Sequence, residues 1–135
     1  MVNMSAVYAG ELRCELTHGP SGSRVATDAP KDNMGRGEAF SPTDLVGAAL
    51  AACVLTTMGI VAKRHGIAFE GARAEVSKEM VADPVRRIGS LPVKVTMPRS
   101  LAPDHRARLE NAARTCPVHR SLHPDVRAEI SFEYA

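Results

Sequence analysis

Residues 41–66 read SPTDLVGAALAACVLTTMGIVAKRHG. Ser41 is a good helix N-cap, Pro42 suits the first helical position, and Asp44 falls where a side chain can reach back to the cap. Lys63, Arg64 and His65 complement the negative end of a helix dipole, and Gly66 suits the residue that ends a helix. The stretch therefore predicts one long helix. Between residues 45 and 62 it carries no charge. A helix apolar on nearly all sides must be covered on nearly all sides, which one small sheet cannot do. A partner helix or a second subunit can, and the small residues allow close approach. The same run touches the lower length limit for a membrane span. Its glycines, alanines, Thr56 and Thr57 make it only mildly hydrophobic, and both ends are framed as in a soluble core, so no membrane partner is expected.

A chain of 135 residues suits a single domain, residues 1–135. Its core is short of large groups, with three Phe, two Tyr and no Trp. A small domain filled by Ala, Val and Leu gains much by burying a face against its own copy, which points to a homodimer. The net charge is +2, and the basic residues are scattered without interleaved aromatics, which argues against nucleic acid as the main partner. The N-terminus shows no signal peptide, and three cysteines without tight spacing do not form a secreted disulfide framework. A cytoplasmic setting is expected.

Around the long helix, residues 6–17 and 23–27 read as two strands flanking the turn HGPSG, and the polar, glycine-rich residues 30–39 as a loop. Residues 69–80 and 87–97 read as antiparallel partners across Ala82, Asp83 and Pro84, with Pro92 marking an edge or a bulge. A second helix is expected over residues 102–115. Residues 126–134 alternate apolar and polar side chains as a half-buried strand does. The fold class is α+β.

Cys53 lies about three turns into the long helix, beyond the reach of its N-terminal dipole. Burial alone would raise its pKa, so it reacts only if the fold brings it a cation. Cys116 precedes Pro117 in TCPVHRSLHPD, near the N-cap of a short helix, where backbone amides favour a thiolate. Local electrostatics therefore favour Cys116 as the better thiolate. Each cysteine also has a plain reading as a small buried group. Cys14 has no accompanying motif. Cys116, His119 and His123 form C-x2-H-x3-H, three candidate metal ligands that lack a fourth.

Taken together, SPTDLVGAALAACVLTTMGIVAKRHG and ARTCPVHRSLHPDV resemble the OsmC/Ohr family, the osmotically inducible protein C and organic hydroperoxide resistance proteins. The proline at 42, the alanine-rich stretch up to Cys53 and the Cys116–Pro117 pair carry the resemblance, which extends over essentially the whole chain, on the side of the broad OsmC-like group. It implies an intertwined homodimer in which antiparallel sheets wrap long central helices and two active sites lie at the interface. It implies a thiol peroxidase in which Cys53 attacks an organic hydroperoxide and becomes a sulfenic acid, which Cys116 resolves as a disulfide. No metal or flavin cofactor is required. An external dithiol, of the lipoyl-bearing type in family members, would reduce the disulfide by exchange.

The resemblance also calls for an arginine beside the thiolate. Arg36 in the glycine-rich loop is preferred to Arg24 in the first hairpin, because a loop arginine can reach a thiolate without distorting a strand. Family peroxidases carry a Glu after the matching proline to hold that arginine. Thr43 stands there in this chain, followed by Asp44, which could take the role or only cap the helix. The departure motivates a second reading, a non-catalytic dimer that binds a small apolar ligand at its subunit interface.

Overall fold

The long helix predicted from Ser41 is present in the computed structural model, which describes residues 1–135: α1 spans Pro42–Arg64. A reciprocal pair of bonds starts it. The Ser41 hydroxyl accepts the Asp44 amide at 3.0 Å, and the Asp44 carboxylate accepts the Ser41 amide at 2.9 Å. Two otherwise orphaned amides are satisfied in this way, an arrangement that contributes about 1 kcal/mol. By length and composition α1 is apolar enough to cross a membrane. Its residues Leu50, Val54, Met58 and Ala62 are nonetheless buried within the chain.

The chain forms two compact units, Met1–Val46 and Gly47–Ala135. The first is built on a three-stranded antiparallel sheet, β1 (Met4–Gly10), β2 (Arg13–His18) and β3 (Arg24–Asp28), in that order. Residues 6–17 are thus not one strand. They turn back at Glu11 and Leu12, whose φ values of 55° and 61° place two residues with side chains in the left-handed region. That region is uncommon for such residues, and neither Asn-Gly nor Asp-Gly marks the turn, so periodicity ran through it unbroken. The Tyr8 hydroxyl accepts the Leu12 amide at 3.3 Å and braces it. The expected loop over residues 30–39 holds one short 3-10 turn, Lys31–Asn33.

In the second unit, residues 69–80 and 87–97 do form an antiparallel hairpin, but each arm is broken once. β4 (Arg73–Val76) pairs with β7 (Val93–Met97), and β5 (Glu79–Val81) pairs with β6 (Arg87–Ser90). Pro92 has no amide to give a ladder, and the break falls beside it. Its carbonyl still accepts the Ser77 amide at 3.2 Å. Helix α2 (Pro103–Ala113) and the short α3 (Pro117–Ser121) then return the chain to β8 (Ile130–Tyr134). This last strand runs parallel to β7, giving the sheet order β4-β7-β8. The regular ladder covers only the second half of the alternating stretch 126–134. The first half joins the sheet edge through Arg127, bridged to Ser90.

Central β7 carries Val93, Val95 and Met97 into the core, where Leu50, Val54 and Met58 of α1 and Leu109 of α2 are equally buried. Gly47 lies against Leu91 and Val76, and a Cβ there would stand 3.3 Å from the Leu91 side chain. The small residue thus allows α1 to approach the sheet. On the solvent face Lys94 pairs with Glu75 at 3.5 Å and Glu133 at 3.8 Å. The mixed helices and small sheets agree with the α+β class.

Candidate active site

The fold brings Cys53 and Cys116 together. Cys53 is half-buried on α1, while Cys116 is fully buried at the N-cap of α3; both are free thiols. Pro117 occupies the first position of α3 and needs no amide partner. The next amides of α3 turn to sulfur. The His119 amide donates to the Cys116 Sγ at 3.4 Å, and the Val118 amide favours the thiolate form of both sulfurs.

These contacts separate the two thiols. Burial pushes Cys53 up, but hydrogen bonds from the Cys116 thiol, the Val118 amide and the Thr57 hydroxyl together outweigh it and leave Cys53 below its ordinary range. Burial also pushes Cys116 up, and its bond to Cys53 reinforces the rise against the opposing amides of His119 and Val118. Cys53 is therefore the better thiolate and Cys116 the proton-bearing donor, the reverse of what local sequence electrostatics favour. The N-terminus of α1 lies about three turns away, too far to serve as a donor. The donors come instead from α3 and from Thr57, whose Oγ1 lies 4.0 Å from the Cys53 Sγ. Thr57 was accessible to sequence reasoning, because positions four apart share a helix face. The Val118 amide was not, since only the tertiary fold places it.

His119 and His123 do not converge with Cys116 as metal ligands. The His119 Nε2 bonds the Ala128 carbonyl at 2.8 Å, and the His123 Nδ1 faces Asp125 at 3.7 Å. No group of three His, Cys, Asp or Glu side chains is arranged to hold a metal ion. Cys14 is half-buried in β2, cross-strand from Tyr8 and Thr27.

Three arginines of the first unit differ in their engagement. Arg24 pairs with Glu15 at 3.1 Å on the surface of the sheet. Arg36 is exposed in the loop, and its charge helps to keep Asp28 ionised. Arg13, which sequence reasoning passed over, grips Asp28 with two bonds, Nε at 2.7 Å and Nη2 at 2.8 Å. Asp28 is 1 % exposed and also accepts the Glu38 amide at 3.1 Å. The bidentate geometry is the one a guanidinium suits best. The Asp44 carboxylate is engaged in the α1 cap.

A family model described as OsmC-like protein matches residues 35–131. A solved structure named for osmotic stress induction and the detoxification response, from Psychrobacter arcticus 273-4, is 42 % identical. The match covers 98 % of this chain and 96 % of that one, with a TM-score of 0.91. The organic hydroperoxide resistance protein OsmC of Legionella pneumophila is 18 % identical, with a TM-score of 0.79 and coverage of 98 % and 96 %. The organic hydroperoxide resistance protein OhrB of Bacillus subtilis is 21 % identical, with a TM-score of 0.67 and coverage of 98 % of both chains. At those identities the last two speak for the fold alone. No curated protein matches the chain.

Proposed function

This chain belongs to the OsmC-like protein family, and we propose that it is a two-cysteine peroxidase that reduces organic hydroperoxides to alcohols. The observation that carries the reading is the pairing of two unbridged thiols with opposite tendencies, Cys53 held towards thiolate and Cys116 held protonated beside it.

The chemistry follows from that asymmetry. The Cys53 thiolate attacks the terminal oxygen of ROOH. The O–O bond breaks, the alkoxide takes up a proton and leaves as ROH, and Cys53 becomes a sulfenic acid. The Cys116 sulfur then attacks the sulfenic sulfur. Its proton and the sulfenic hydroxyl depart as water, and a Cys53–Cys116 disulfide remains. Two electrons have passed from the thiols to the peroxide. An external dithiol, of the dihydrolipoyl class in this reading, returns them by exchange. The cycle needs no metal or flavin, and it suits the cytoplasm, where thiols are kept reduced.

In this reading the protein works as a homodimer, and Arg36 is the arginine that meets the peroxide, with Arg24 as the alternative. Asp44 takes the place of the family Glu to the extent that its capping role permits. Replacing Arg36 and Arg24 separately with Lys, and reading peroxide turnover, assigns the role.

The deciding experiment treats reduced protein with one equivalent of cumene hydroperoxide and follows the thiols by mass spectrometry. An intramolecular Cys53–Cys116 disulfide within seconds is the expected result. Survival of both thiols for many minutes overturns the reading and favours the non-catalytic ligand-binding dimer.

A further inference from the structure

We propose that His119 is a positioning residue that sets the reactivity of Cys53 from a distance, by pinning α3 to the edge of the sheet. The inference rests on the reading of Cys53 as the attacking thiol, but its test does not need peroxide turnover.

The two amides that serve the sulfurs, of Val118 and His119, belong to a helix of five residues. So short a helix has little stability of its own, and its position must be fixed by what it touches. Its internal bonds, Arg120 amide to Cys116 carbonyl at 3.1 Å and Ser121 hydroxyl to Pro117 carbonyl at 2.8 Å, hold its shape but not its place. The His119 ring supplies the anchor through the 2.8 Å bond from Nε2 to the Ala128 carbonyl. A carbonyl can only accept, so Nε2 carries the proton, and the bond persists whether or not Nδ1 is also protonated.

Ala128 is a rigid point to hold. The carbonyls on either side of it, of Arg127 and Glu129, accept the amides of Leu91 at 2.7 Å and Val93 at 2.8 Å. Arg127 also donates its own amide to the Gly89 carbonyl at 3.0 Å. Successive carbonyls of an extended strand point to opposite sides, so the Ala128 carbonyl faces away from residues 89–93 at an open sheet edge. His119 closes that edge and carries the sheet's rigidity into α3. The same residue thus fixes the helix with its ring and serves the Cys116 sulfur with its backbone.

The test measures the Cys53 titration directly, from the pH dependence of its alkylation by iodoacetamide, resolved by peptide mass spectrometry. His119→Ala is expected to raise the apparent pKa of Cys53 and to lower its alkylation rate near neutral pH about three- to tenfold, the span that one hydrogen bond of ordinary strength controls. His119→Gln, which retains an N–H donor, is expected to recover most of the rate. His119→Met, which fills similar space without a donor, is expected to behave as the alanine variant does. Equal titrations of Cys53 in the Gln and Met variants overturn the proposal, even if His119→Ala fails to fold. A merely structural role lowers the melting temperature without separating those two variants. Loss of peroxidase chemistry in the wild-type protein would strike the functional reading and leave this titration intact.

Discussion

The amide of Val118, at the start of α3, helps to draw the thiol of Cys53, in the middle of α1, towards thiolate. A thiol placed by one helix is thus tuned by the start of another. The Cys116 thiol and the Thr57 hydroxyl add to the effect.

Cys53 should therefore be alkylated ahead of Cys116 at neutral pH. Removing the Cys116 thiol takes away a donor that stabilises the Cys53 thiolate, so Cys116→Ala should raise the Cys53 pKa and slow its alkylation about threefold or more. The sign is fixed by the charge: less stabilisation of the anion means less anion at a given pH. Thr57→Val should act in the same direction but more weakly, since its contact is 4.0 Å long. Rates measured across pH 5 to 10, a window bracketing the roughly 8.5 of an ordinary thiol, check both. A faster Cys53 in either variant contradicts the assignment.

Along α1, Ala49, Ala52, Thr56 and Ile60 face outwards, and Ile60 is 49 % exposed. These positions recur at helical spacing opposite the buried stripe of Leu50, Val54 and Met58. In the proposed homodimer they are the surface a second copy covers, and they are the part of this all-round apolar helix that the chain itself leaves open. Ala52→Glu should place a charge in that contact and shift sedimentation towards monomer. A wild-type protein that sediments as a monomer would sink the dimer.

Much of this was legible because the signals are local. Ser41, Asp44 and Gly66 bounded α1 by capping chemistry, and Pro117 announced α3 after Cys116. The alternation from Val126 to Tyr134 announced the last strand. What was not legible depends on contacts between distant residues. Nothing in the sequence tells that β8 pairs parallel to β7, or that Glu11 and Leu12 adopt a turn without glycine at either place. The reversal of the two thiols has the same origin, since two of the three groups that favour the Cys53 thiolate, the Cys116 thiol and the Val118 amide, are far away in the chain.

Arg13 and Asp28 make the acid side of the stability profile predictable. The Arg13 side chain, with a smaller share from the Glu38 amide, holds the Asp28 carboxyl below its ordinary range against the opposing effect of burial. A depressed carboxyl contributes stability that is present above the unfolded value of about 4 and is lost as pH falls through the folded value. Asp28→Asn should lower the melting temperature at neutral pH, because Arg13 loses its bidentate carboxylate. The gap between variant and wild type should narrow as pH falls below about 4. Thermal melts at a series of pH values test this, and a gap that stays constant into acid would assign the effect to packing alone.

Tyr134 governs the alkaline side. Burial first, and then its hydrogen bond to Glu110, push its hydroxyl up to about 12, with Arg106 acting weakly in the other direction. The guanidinium of Arg106 lies over the Tyr134 ring at 4.0 Å from its centre, while its Nε and Nη2 bond the carbonyls of Leu101 and Arg99. Tyr134 thus ties the end of β8 to α2 through Glu110 and stacks beneath Arg106. A phenol raised from its ordinary value of about 10 keeps in the folded state a proton that the unfolded chain releases. Its contribution is complete below about pH 10 and disappears as pH rises through the folded value. Tyr134→Phe retains the ring under Arg106 but loses the hydrogen bond, and should cost about 1 kcal/mol at neutral pH. In urea denaturation between pH 9 and pH 12, a range spanning the ordinary phenol value, wild type should lose this advantage and converge on the variant. Parallel curves across that range would mean that the hydroxyl bond to Glu110 does not contribute to holding the C-terminal strand.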